Sequence, residues 1–281
     1  MSNTTKTLVR CCSDYTKFRD ILEKSKNILV LTGAGISAES GIPIFRGTGG
    51  WWRSYKAENL ASPIAFEANP SLVWEFYSYR REVAFNANPN KAHLALAQYE
   101  KKCLTENRKL SIITQNVDGL HLRAGSQSVI ELHGALRKVK CTKCKYVYEN
   151  SDHPICEALR GRGNPDSIQQ NLTCISVNEL PKCTKCESLL RPDIVWFGEQ
   201  INSKHLEDSR KLVEECDLCL VVGTSSVVYP AALFAPTAAA RGAHVAEFNL
   251  SEDPFKEDFT FHFSGPCATT LPKALGIDVT E

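Results

Sequence analysis

The stretch that decides the fold is Asn27-Ile28-Leu29-Val30-Leu31-Thr32-Gly33-Ala34-Gly35-Ile36-Ser37-Ala38. Its apolar start predicts a buried strand over Ile28 to Leu31. Gly33, Gly35 and Ala38 then fit the G-x-G-x-x-G/A pattern, in which glycines let the backbone approach a pyrophosphate and a helix N-terminus supplies amide donors. This pattern also occurs in strand-to-helix turns without a ligand, and the acid that usually ends the second strand is not evident.

The segment after this turn runs through Glu39-Ser40-Gly41-Ile42-Pro43-Ile44-Phe45-Arg46-Gly47. It is far longer than tight packing of a strand against a helix requires. Long loops at the carboxyl edge of a sheet more often serve a ligand. We therefore expect a ligand-binding loop here.

Strand and helix patterns alternate over much of the chain. Further apolar runs predict buried strands at Ser111 to Thr114, Leu218 to Val222 and His244 to Phe248. Residues 14 to 25 and Leu206 to Glu215 have the spacing of amphipathic helices. The alternation predicts an α/β fold with a Rossmann-like, doubly wound parallel sheet.

One stretch, Leu218 to Ala240, carries no formal charge over 23 residues and is long enough to span a membrane. Pro230, Pro236 and the polar residues after the first five positions interrupt it. We therefore interpret it as a buried strand, a turn and a helix of small residues.

Two segments break the alternation, because residues 47 to 98 are aromatic and mainly helical and residues 137 to 191 are polar with six cysteines. We expect them to form a smaller lobe, helical in its first part and zinc-binding in its second. Residues 14–46, 99–136 and 192–275 would form the larger, Rossmann-like lobe.

Composition narrows the function classes. The chain has 281 residues, 43% of them hydrophobic, and its 33 Lys and Arg nearly cancel its 32 Asp and Glu. A net charge of +1 gives no overall electrostatic case for nucleic acid or an anionic membrane surface. Twelve cysteines are too few at this length for a disulfide-dense secreted scaffold, so a reducing compartment with some thiols on a metal is expected.

The N-terminal residues lack the apolar run of a secretory signal. Residues 1 to 13 carry Lys6 and Arg10 but no acid, so a trimmed organellar presequence and a polar terminal segment both stay open.

The strongest single motif is the pair Cys141-x2-Cys144 and Cys183-x2-Cys186. Four thiolates at this spacing close a tetrahedral structural zinc site without an open coordination position. The 38 residues between the pairs exceed the usual spacing, which leaves His153, Cys156 or Cys174 as alternative ligands. Zinc held in this way stabilises the small lobe rather than doing chemistry.

A third cluster, Thr114-Gln115-Asn116-Val117-Asp118-Gly119-Leu120-His121, begins where a predicted strand ends. Polar side chains at that edge can bind an amide or a ribose. His133 stands beside Gly134 at a strand end, and the ordinary pKa of a histidine suits a general base. From the residues alone, a hydrogen-bonded structural histidine is the alternative for His133 and the expectation for His93 and His121.

These residues together resemble one family, the sirtuins, which are NAD-dependent protein lysine deacylases. Besides the motifs quoted above, the resemblance rests on Gly41-Ile42-Pro43-Ile44-Phe45-Arg46, Phe197-Gly198-Glu199 and Gly223-Thr224-Ser225, in family order from about residue 14 to 275. It implies that NAD lies between a Rossmann-like lobe and a small zinc lobe. The zinc ligands would be Cys141, Cys144, Cys183 and Cys186.

The resemblance also implies roles for single residues. His133 would be the base, Asn116 and Asp118 would face the nicotinamide and its ribose, and Asn249 would contact the adenosine ribose. Phe45 would shield the site once nicotinamide leaves, and Arg46 would lie near the phosphates. The implied NAD contacts are Gly33, Ala34, Gly35, Ser37, Ala38, Glu39, Phe45, Arg46, Trp52, Gln115, Asn116, Val117, Asp118, Gly223, Thr224, Ser225, Asn249, Leu250, Ser251 and Cys267.

In family chemistry, the acyl carbonyl oxygen attacks the ribose carbon that carries nicotinamide. The base then deprotonates a ribose hydroxyl, which closes onto the acyl carbon, and water resolves the intermediate to free lysine and O-acyl-ADP-ribose.

A Tyr-x-x-Arg pair indicates which acyl group is removed. Tyr77 and Arg80 are three apart on a predicted helix and can converge on one ligand group, for which a carboxylate is the best match. From the residues alone, a solvated helix face is the alternative. With the small Ala61, the pair resembles the class III branch of the family, which removes malonyl, succinyl and glutaryl groups.

The expected partners are acylated lysine side chains of proteins, with neither nucleic acid nor membrane. The substrate strand is expected to pair with backbone near Val195 to Glu199, including Phe197 and Gly198, and around Val227 to Tyr229. The resemblance implies the mitochondrial matrix, with cytosol and nucleus as alternatives. A non-catalytic NAD-sensing scaffold and an NAD-dependent protein ADP-ribosyltransferase are the rival functions.

Overall fold

A computed structural model describes residues 14–45, 50–165, 173–250 and 259–279. Within those ranges the helices are α1 (Tyr15–Lys24), α2 (Ala34–Ala38), α3 (Ala57–Leu60), α4 (Pro63–Ala68), α5 (Pro70–Asn86), α6 (Lys91–Thr105), α7 (Leu120–Arg123), α8 (Ser203–Glu215), α9 (Phe234–Ala240) and α10 (Cys267–Leu275). The strands are β1 (Asn27–Thr32), β2 (Trp51–Trp52), β3 (Tyr55–Lys56), β4 (Lys109–Thr114), β5 (Val129–Glu131), β6 (Gly134–Cys141), β7 (Val147–Glu149), β8 (Leu190–Ile194), β9 (Leu218–Val222), β10 (His244–Asn249) and β11 (Phe261–Ser264).

The centre of the fold is a six-stranded parallel sheet in the order β11-β10-β9-β1-β4-β5. Its strands are rich in Val, Ile and Leu because parallel sheets are covered on both faces. Thr32 at the end of β1 is in register with Thr114 on one side and Val222 on the other. The loops that follow these three strands therefore leave the sheet at the same level.

Helices cover both faces of the sheet. On one face, Phe18 of α1 and Leu96 of α6 pack with Leu271 of α10, and on the other Val213 of α8 packs with Ala238 of α9. Burying a side chain as large as Phe18 contributes about 2–3 kcal/mol. The predicted doubly wound α/β architecture is confirmed, including the helices at residues 14–25 and 206–215.

The order of the strands reverses beside β1, because β4 and β5 follow on one side and β9 to β11 on the other. In sheets of this kind the crevice at the reversal is where ligands bind. Gly35 and Gly223 let the loops after β1 and β9 touch there, since a Cβ on Gly223 would lie 2.3 Å from the backbone nitrogen of Ile36. Gly223 also has a φ of 59°.

A second core forms where α5 packs against the antiparallel sheet β7-β6-β8. It contains Trp74, Phe76 and Tyr77 of α5 together with Leu190 and Trp196. The hairpin of β2 and β3 and the helices α3 and α4 surround α5. The described part of the polar segment 137–191 thus folds around three short strands and the cysteine pairs.

The lobe boundary predicted at residue 98 would divide α6, which runs unbroken from Lys91 to Thr105. Ala92, Leu96 and Tyr99 all pack in the core of the parallel sheet, so α6 belongs to the larger lobe as a whole. Composition assigned its first part wrongly, because small and aromatic residues are common to both cores. Packing is what distinguishes them.

None of the helices in the described ranges has the length and apolarity needed to cross a bilayer. The charge-free stretch that could suggest a span is instead β9, a 3-10 turn over Ala231–Leu233 and α9.

Candidate active site and metal centre

A cavity with a volume of about 1300 Å³ lies at the carboxyl edge of the parallel sheet and faces the smaller lobe. Its walls bring together residues that are far apart in sequence. The sequence-predicted residues that line it are Gly33, Ala34, Gly35, Ser37, Ala38, Glu39, Phe45, Ala61, Tyr77, Arg80, Gln115, Asn116, Val117, Asp118, His133, Val195, Phe197, Gly198, Glu199, Gly223, Thr224, Ser225, Asn249, Leu250 and Cys267.

Trp52 was expected at the cofactor but lies in the core of the smaller lobe, with a side chain only 1% exposed. Its indole N–H donates to the carbonyl oxygen of Gly163 at 2.8 Å, and its ring packs against Phe76. A large aromatic side chain is more stable in that apolar contact than at a polar cleft. Arg46 and Ser251 fall outside the described residues.

The glycine turn is where the loops after β1 and β9 approach each other. The amides of Gly33 and Gly35 donate to the carbonyl oxygens of Val222 and Gly223 at 3.1 and 2.8 Å. Helix α2 that follows has five residues. The two glycines therefore serve the close approach of the loops, and their N–H groups have acceptors within the protein.

The side-chain amide of Asn116 is oriented by two hydrogen bonds. Its Nδ2 donates to the carbonyl oxygen of Gly33 at 2.9 Å and to Oγ of Ser37 at 3.1 Å. Both amide hydrogens therefore have protein acceptors. The oxygen Oδ1 is left as the atom with which Asn116 can bind a ligand.

Asp118 follows two residues later and accepts hydrogen bonds from the hydroxyl of Ser37 at 2.8 Å and the amide of Leu120 at 2.9 Å. Burial raises the pKa of Asp118 above the ordinary value for an aspartate, and these two hydrogen bonds oppose the rise. A carboxylate held in place at such a desolvation cost is typical of a functional site.

His133 has a defined tautomer. Its Nδ1 lies 3.1 Å from the carbonyl oxygen of Gln115, and a carbonyl can only accept, so Nδ1 carries the hydrogen. In the neutral imidazole the nitrogen without a hydrogen is then Nε2, the atom with which a general base takes a proton. The position after His133 requires glycine, because Gly134 has a φ of 83° and a Cβ there would lie 2.1 Å from the carbonyl oxygen of Asp193.

Thr224, which follows β9, is hydrogen-bonded to residues at the ends of β4 and β10. Gln115 donates to its hydroxyl at 3.0 Å, and Asn249 donates to its carbonyl oxygen at 3.2 Å. Cys267 lies at the start of α10, and burial raises the pKa of its thiol to about 12. Cys267 therefore contributes a neutral surface to the cavity, not a thiolate.

Two buried histidines, His93 and His121, contact Ser37 and Thr32, and their ring centres are 4.9 Å apart. His121 contacts the hydroxyl of Thr32 at 3.0 Å through Nε2, and His93 reaches Oγ of Ser37 at 3.5 Å. The structural role expected for both is consistent with burial, which lowers the pKa of His121 to about 4 and that of His93 well below its ordinary value. The link from His93 to Ser37 was missed, although the Asn-x-x-His capping pattern that orients His93 is visible in the sequence.

Tyr77 and Arg80 meet on one face of α5, with the guanidinium carbon of Arg80 5.3 Å from the ring centre of Tyr77. Burial raises the pKa of Tyr77, while the positive charge of Arg80 and the hydrogen bond from Trp196 oppose that rise. Arg81 points away, as predicted, and donates to backbone carbonyls of Leu136 and Asn150.

The two residues differ in exposure although both line the cavity. Tyr77 is 0% exposed, whereas Arg80 is half-buried. The half-buried ring of Phe45 also lines the cavity and lies 5.2 Å from the guanidinium carbon of Arg80.

The expected peptide-binding backbone is partly occupied. The amides of Val195 and Phe197 donate to the carbonyl oxygens of His133 and Ala61, both at 2.9 Å. Those two N–H groups cannot also pair with a substrate strand. Across the cavity, Val227 and Tyr229 are 66% and 71% exposed.

The four predicted zinc ligands converge. All four sulfur atoms lie within 4.8 Å of one another, with Cys141 to Cys186 at 3.5 Å and Cys144 to Cys183 at 3.7 Å. A tetrahedron with zinc–sulfur bonds of about 2.3 Å has edges of about 3.8 Å. Hydrogen bonds from Ser188 lower the pKa of Cys186 to about 6, while desolvation and the neighbouring thiols raise the pKa of Cys144 to about 11, so the cluster without metal ionises first at Cys186. The four cysteines fit one zinc ion.

Each cysteine pair forms a turn around its first sulfur. Amides inside the turns donate to the first sulfur, from Cys144 to Cys141 at 3.3 Å and from Lys185 to Cys183 at 3.4 Å. The residue after each second cysteine has a positive φ, 61° at Lys145 and 57° at Glu187. Within the described ranges the cluster consists of these four cysteines, so His153, Cys156 and Cys174 are not needed as ligands.

Comparisons with known proteins agree with this geometry. The profile of the Sir2 family matches residues 33–230. The chain is 54% identical over 276 residues to NAD-dependent protein deacylase sirtuin-5A, mitochondrial, of Xenopus laevis, covering 98% of this chain and 89% of that protein. It is 47% identical over 253 residues to the NAD-dependent protein deacylase of Pyrococcus furiosus, covering 90% and 93%.

Solved structures resemble it as well. A crystal structure of a Sir2 homolog–NAD complex matches with a TM-score of 0.79 at 40% identity, covering 94% of this chain and 93% of that one. A complex of Sir2 with a p53 peptide and NAD+ matches with a TM-score of 0.77 at 32% identity, covering 94% and 98%.

The metal centre yields a first prediction. Cys183→Ser removes one thiolate from a closed site, so zinc affinity should fall and the smaller lobe should lose stability. Metal content and thermal unfolding measure both effects. Cys174→Ser, which changes an exposed thiol outside the cluster, is the matched control and should keep one equivalent of zinc. A Cys183→Ser protein that folds normally with full zinc would show that the ligand set is wrong.

The buried histidines yield a second prediction. The unfolded His121 imidazole takes a proton near pH 6.5, whereas the folded one resists protonation until about pH 4. Falling pH therefore favours unfolding, and from pH 7 to pH 5 His121 should lower the free energy of unfolding by about 2 kcal/mol. Urea unfolding at a series of pH values measures this.

His121→Gln should flatten that pH dependence. The control is His244→Gln, which changes an exposed histidine and should leave the slope as it is. Equal slopes for wild type and His121→Gln would assign the acid sensitivity to other groups.

Proposed function

Because the chain belongs to the Sir2 family and is an NAD-dependent protein deacylase, we propose that it removes short acidic acyl groups, namely malonyl, succinyl and glutaryl, from lysine side chains of proteins. The observation that carries this proposal is the pairing of Tyr77 and Arg80 at the inner end of the cavity. A guanidinium and a phenol together match a carboxylate, which accepts charge-assisted hydrogen bonds from both.

The space beside this pair supports the same assignment. Ala61 lines the cavity with a single methyl group, and its carbonyl oxygen accepts the amide of Phe197 at 2.9 Å. The small side chain leaves room for a chain longer than acetyl. Desolvation within the pocket strengthens the attraction between Arg80 and a ligand carboxylate compared with the same contact in water.

The cavity fits NAD by the chemistry of its lining. Asn116 can offer Oδ1 to the carboxamide of nicotinamide, and Asp118 can accept from a ribose hydroxyl. Thr224 and Asn249 form a polar wall for the adenosine side, and Gln115, beside Asn116, donates to Thr224. When bound, NAD supplies an electrophilic ribose carbon and becomes the acceptor of the acyl group.

Residues of the chain would then accept a proton and orient the reacting groups. Nε2 of His133 would take the proton of a ribose hydroxyl, because Nδ1 is committed to Gln115. Ser37 would keep Asp118 and Asn116 in register with that hydroxyl. Phe45 would cover the reacting carbon and exclude water, and the zinc centre would hold the wall formed by β6 and β8.

The proposed location is the mitochondrial matrix, because several relatives, including the one from Xenopus laevis, carry "mitochondrial" in their names.

One assay tests the proposal directly. The protein is incubated with NAD and a succinyl-lysine peptide, and the products are identified by mass. Free lysine together with O-succinyl-ADP-ribose supports the proposed function. Covalent ADP-ribose on the peptide would identify an ADP-ribosyltransferase, and turnover of acetyl-lysine alone would leave only the general deacylase activity.

Arg80→Met gives the sharpest prediction about the acyl group. It keeps much of the stem but removes the charge, and losing one partner of a desolvated charge pair costs about 2–5 kcal/mol. Catalytic efficiency on succinyl-lysine should therefore fall by about 30-fold or more, with a small change on acetyl-lysine. Tyr77→Phe should act in the same direction but less, because it removes a neutral donor.

The measurement is the ratio of kcat/KM on succinyl-lysine to that on acetyl-lysine. Arg160→Met, which removes an exposed guanidinium paired with Glu157, is the control and should keep the wild-type ratio. If Arg80→Met also keeps that ratio, the acyl end lies elsewhere.

His133→Ala should lower kcat by about 100-fold or more while leaving NAD and peptide affinity nearly unchanged, as expected for loss of a general base. Calorimetric binding and single-turnover rates separate the two effects. Loss of binding with a normal rate per bound substrate would make His133 structural.

A further inference from the structure

The hydroxyl of Tyr77 has a partner that the acyl-pocket motif does not include. Trp196 follows β8, and its indole N–H donates to Oη of Tyr77 at 2.8 Å. Both side chains are buried, at 2% and 0% exposure, and their ring centres are 6.2 Å apart. Trp196 also lines the cavity.

Trp196 is held firmly on its other side. The guanidinium carbon of Arg191 lies 3.5 Å from the indole ring centre, and Phe66 packs against the ring at 5.3 Å. Arg191 in turn donates to both carboxylate oxygens of Glu199 at 2.6 and 2.8 Å. Glu199 also accepts a hydrogen bond from the backbone amide of Trp196 at 2.9 Å, so Arg191 and Glu199 together contact both the ring and the backbone of Trp196.

The direction of the hydrogen bond from Trp196 to Tyr77 determines what the Tyr77 hydroxyl can offer a ligand. An indole nitrogen can only donate, so Tyr77 must accept from Trp196 and keeps its own O–H hydrogen. The raised pKa of Tyr77 keeps that hydrogen in place at neutral pH. Arg80 beside it can also only donate. Tyr77 and Arg80 therefore both offer hydrogens to the end of an acyl chain.

We propose that Trp196 is a specificity-determining residue, which orients the Tyr77 hydroxyl as a donor so that the pocket accepts a carboxylate and rejects the isosteric carboxamide. This inference rests on the proposed removal of acidic acyl groups. A carboxamide has the same shape as a carboxylate, but its NH2 group would place hydrogens against those of Tyr77 or Arg80. Trp196 acts through Tyr77 and is a positioning residue rather than a catalytic one.

The test compares peptides that carry succinyl-lysine, its terminal carboxamide analogue and acetyl-lysine. Trp196→Phe keeps an aromatic ring between Phe66 and Arg191 but removes the N–H. We expect the ratio of kcat/KM for succinyl over carboxamide to fall by about 2- to 10-fold, the scale of one neutral hydrogen bond. In a Tyr77→Phe background the same substitution should leave the ratio unchanged, because the group it orients is absent.

Trp74→Phe is the matched control. Trp74 is equally buried on α5, but its indole N–H donates at 2.9 Å to the backbone carbonyl oxygen of Leu190. Its loss should lower the melting temperature without changing the selectivity ratio. If Trp196→Phe fails to fold, 3-benzothienylalanine at position 196 replaces the N–H with sulfur at nearly constant shape and is measured instead.

Three outcomes would overturn the inference. They are an unchanged ratio in folded Trp196→Phe, an equal loss on all three peptides, and a further fall of the ratio when Tyr77 is already Phe. A wild type that shows no preference for succinyl over acetyl would instead contradict the proposed function itself, so the two failures are distinguishable.

Discussion

The whole site depends on the contact between two backbone loops at the carboxyl ends of β1 and β9. The amide of Gly35 donates to the carbonyl oxygen of Gly223 at 2.8 Å, at a distance that a Cβ on either residue would prevent. This contact fixes the loop after β1, to which Asn116 is anchored through the carbonyl oxygen of Gly33. If the loops were forced apart, the polar groups on both sides of the cleft would lose their registration.

From that contact outward, the polar groups of the larger lobe are mutually oriented. Asn116, Ser37 and Asp118 form a chain in which each hydrogen has a defined acceptor. His133 is fixed in one tautomer by Gln115. Because these groups are arranged before a ligand binds, less reorganisation is needed during the reaction. This arrangement buries the carboxyl group of Asp118, and the resulting desolvation raises its pKa.

The smaller lobe is stabilised by an apolar core and by the cysteine cluster. Its core joins α5 to the antiparallel sheet, and the cysteine cluster fixes the far end of that sheet through β6 and the Cys183 turn. Tyr77 and Arg80 on α5 therefore stand on a rigid support, while Trp196 and Glu199 extend from β8 toward them. Residues of both lobes thus line the same cavity.

The sequence alone determined the features that depend on local pattern. The apolar runs predicted the strands of the parallel sheet, the paired cysteines predicted the metal cluster, and the motifs around Asn116 and His133 indicated the cleft, because periodicity and spacing are properties of neighbouring residues. Tertiary structure alone decided four other features. It placed Trp52 in a core rather than at the cofactor, used the amides of Gly33 and Gly35 within the protein, and kept α6 whole in the larger lobe. It also brought Trp196 to Tyr77 across 119 residues. No local pattern encodes such contacts, since they arise only when separate elements compete for the same buried space and the same hydrogen-bond partners.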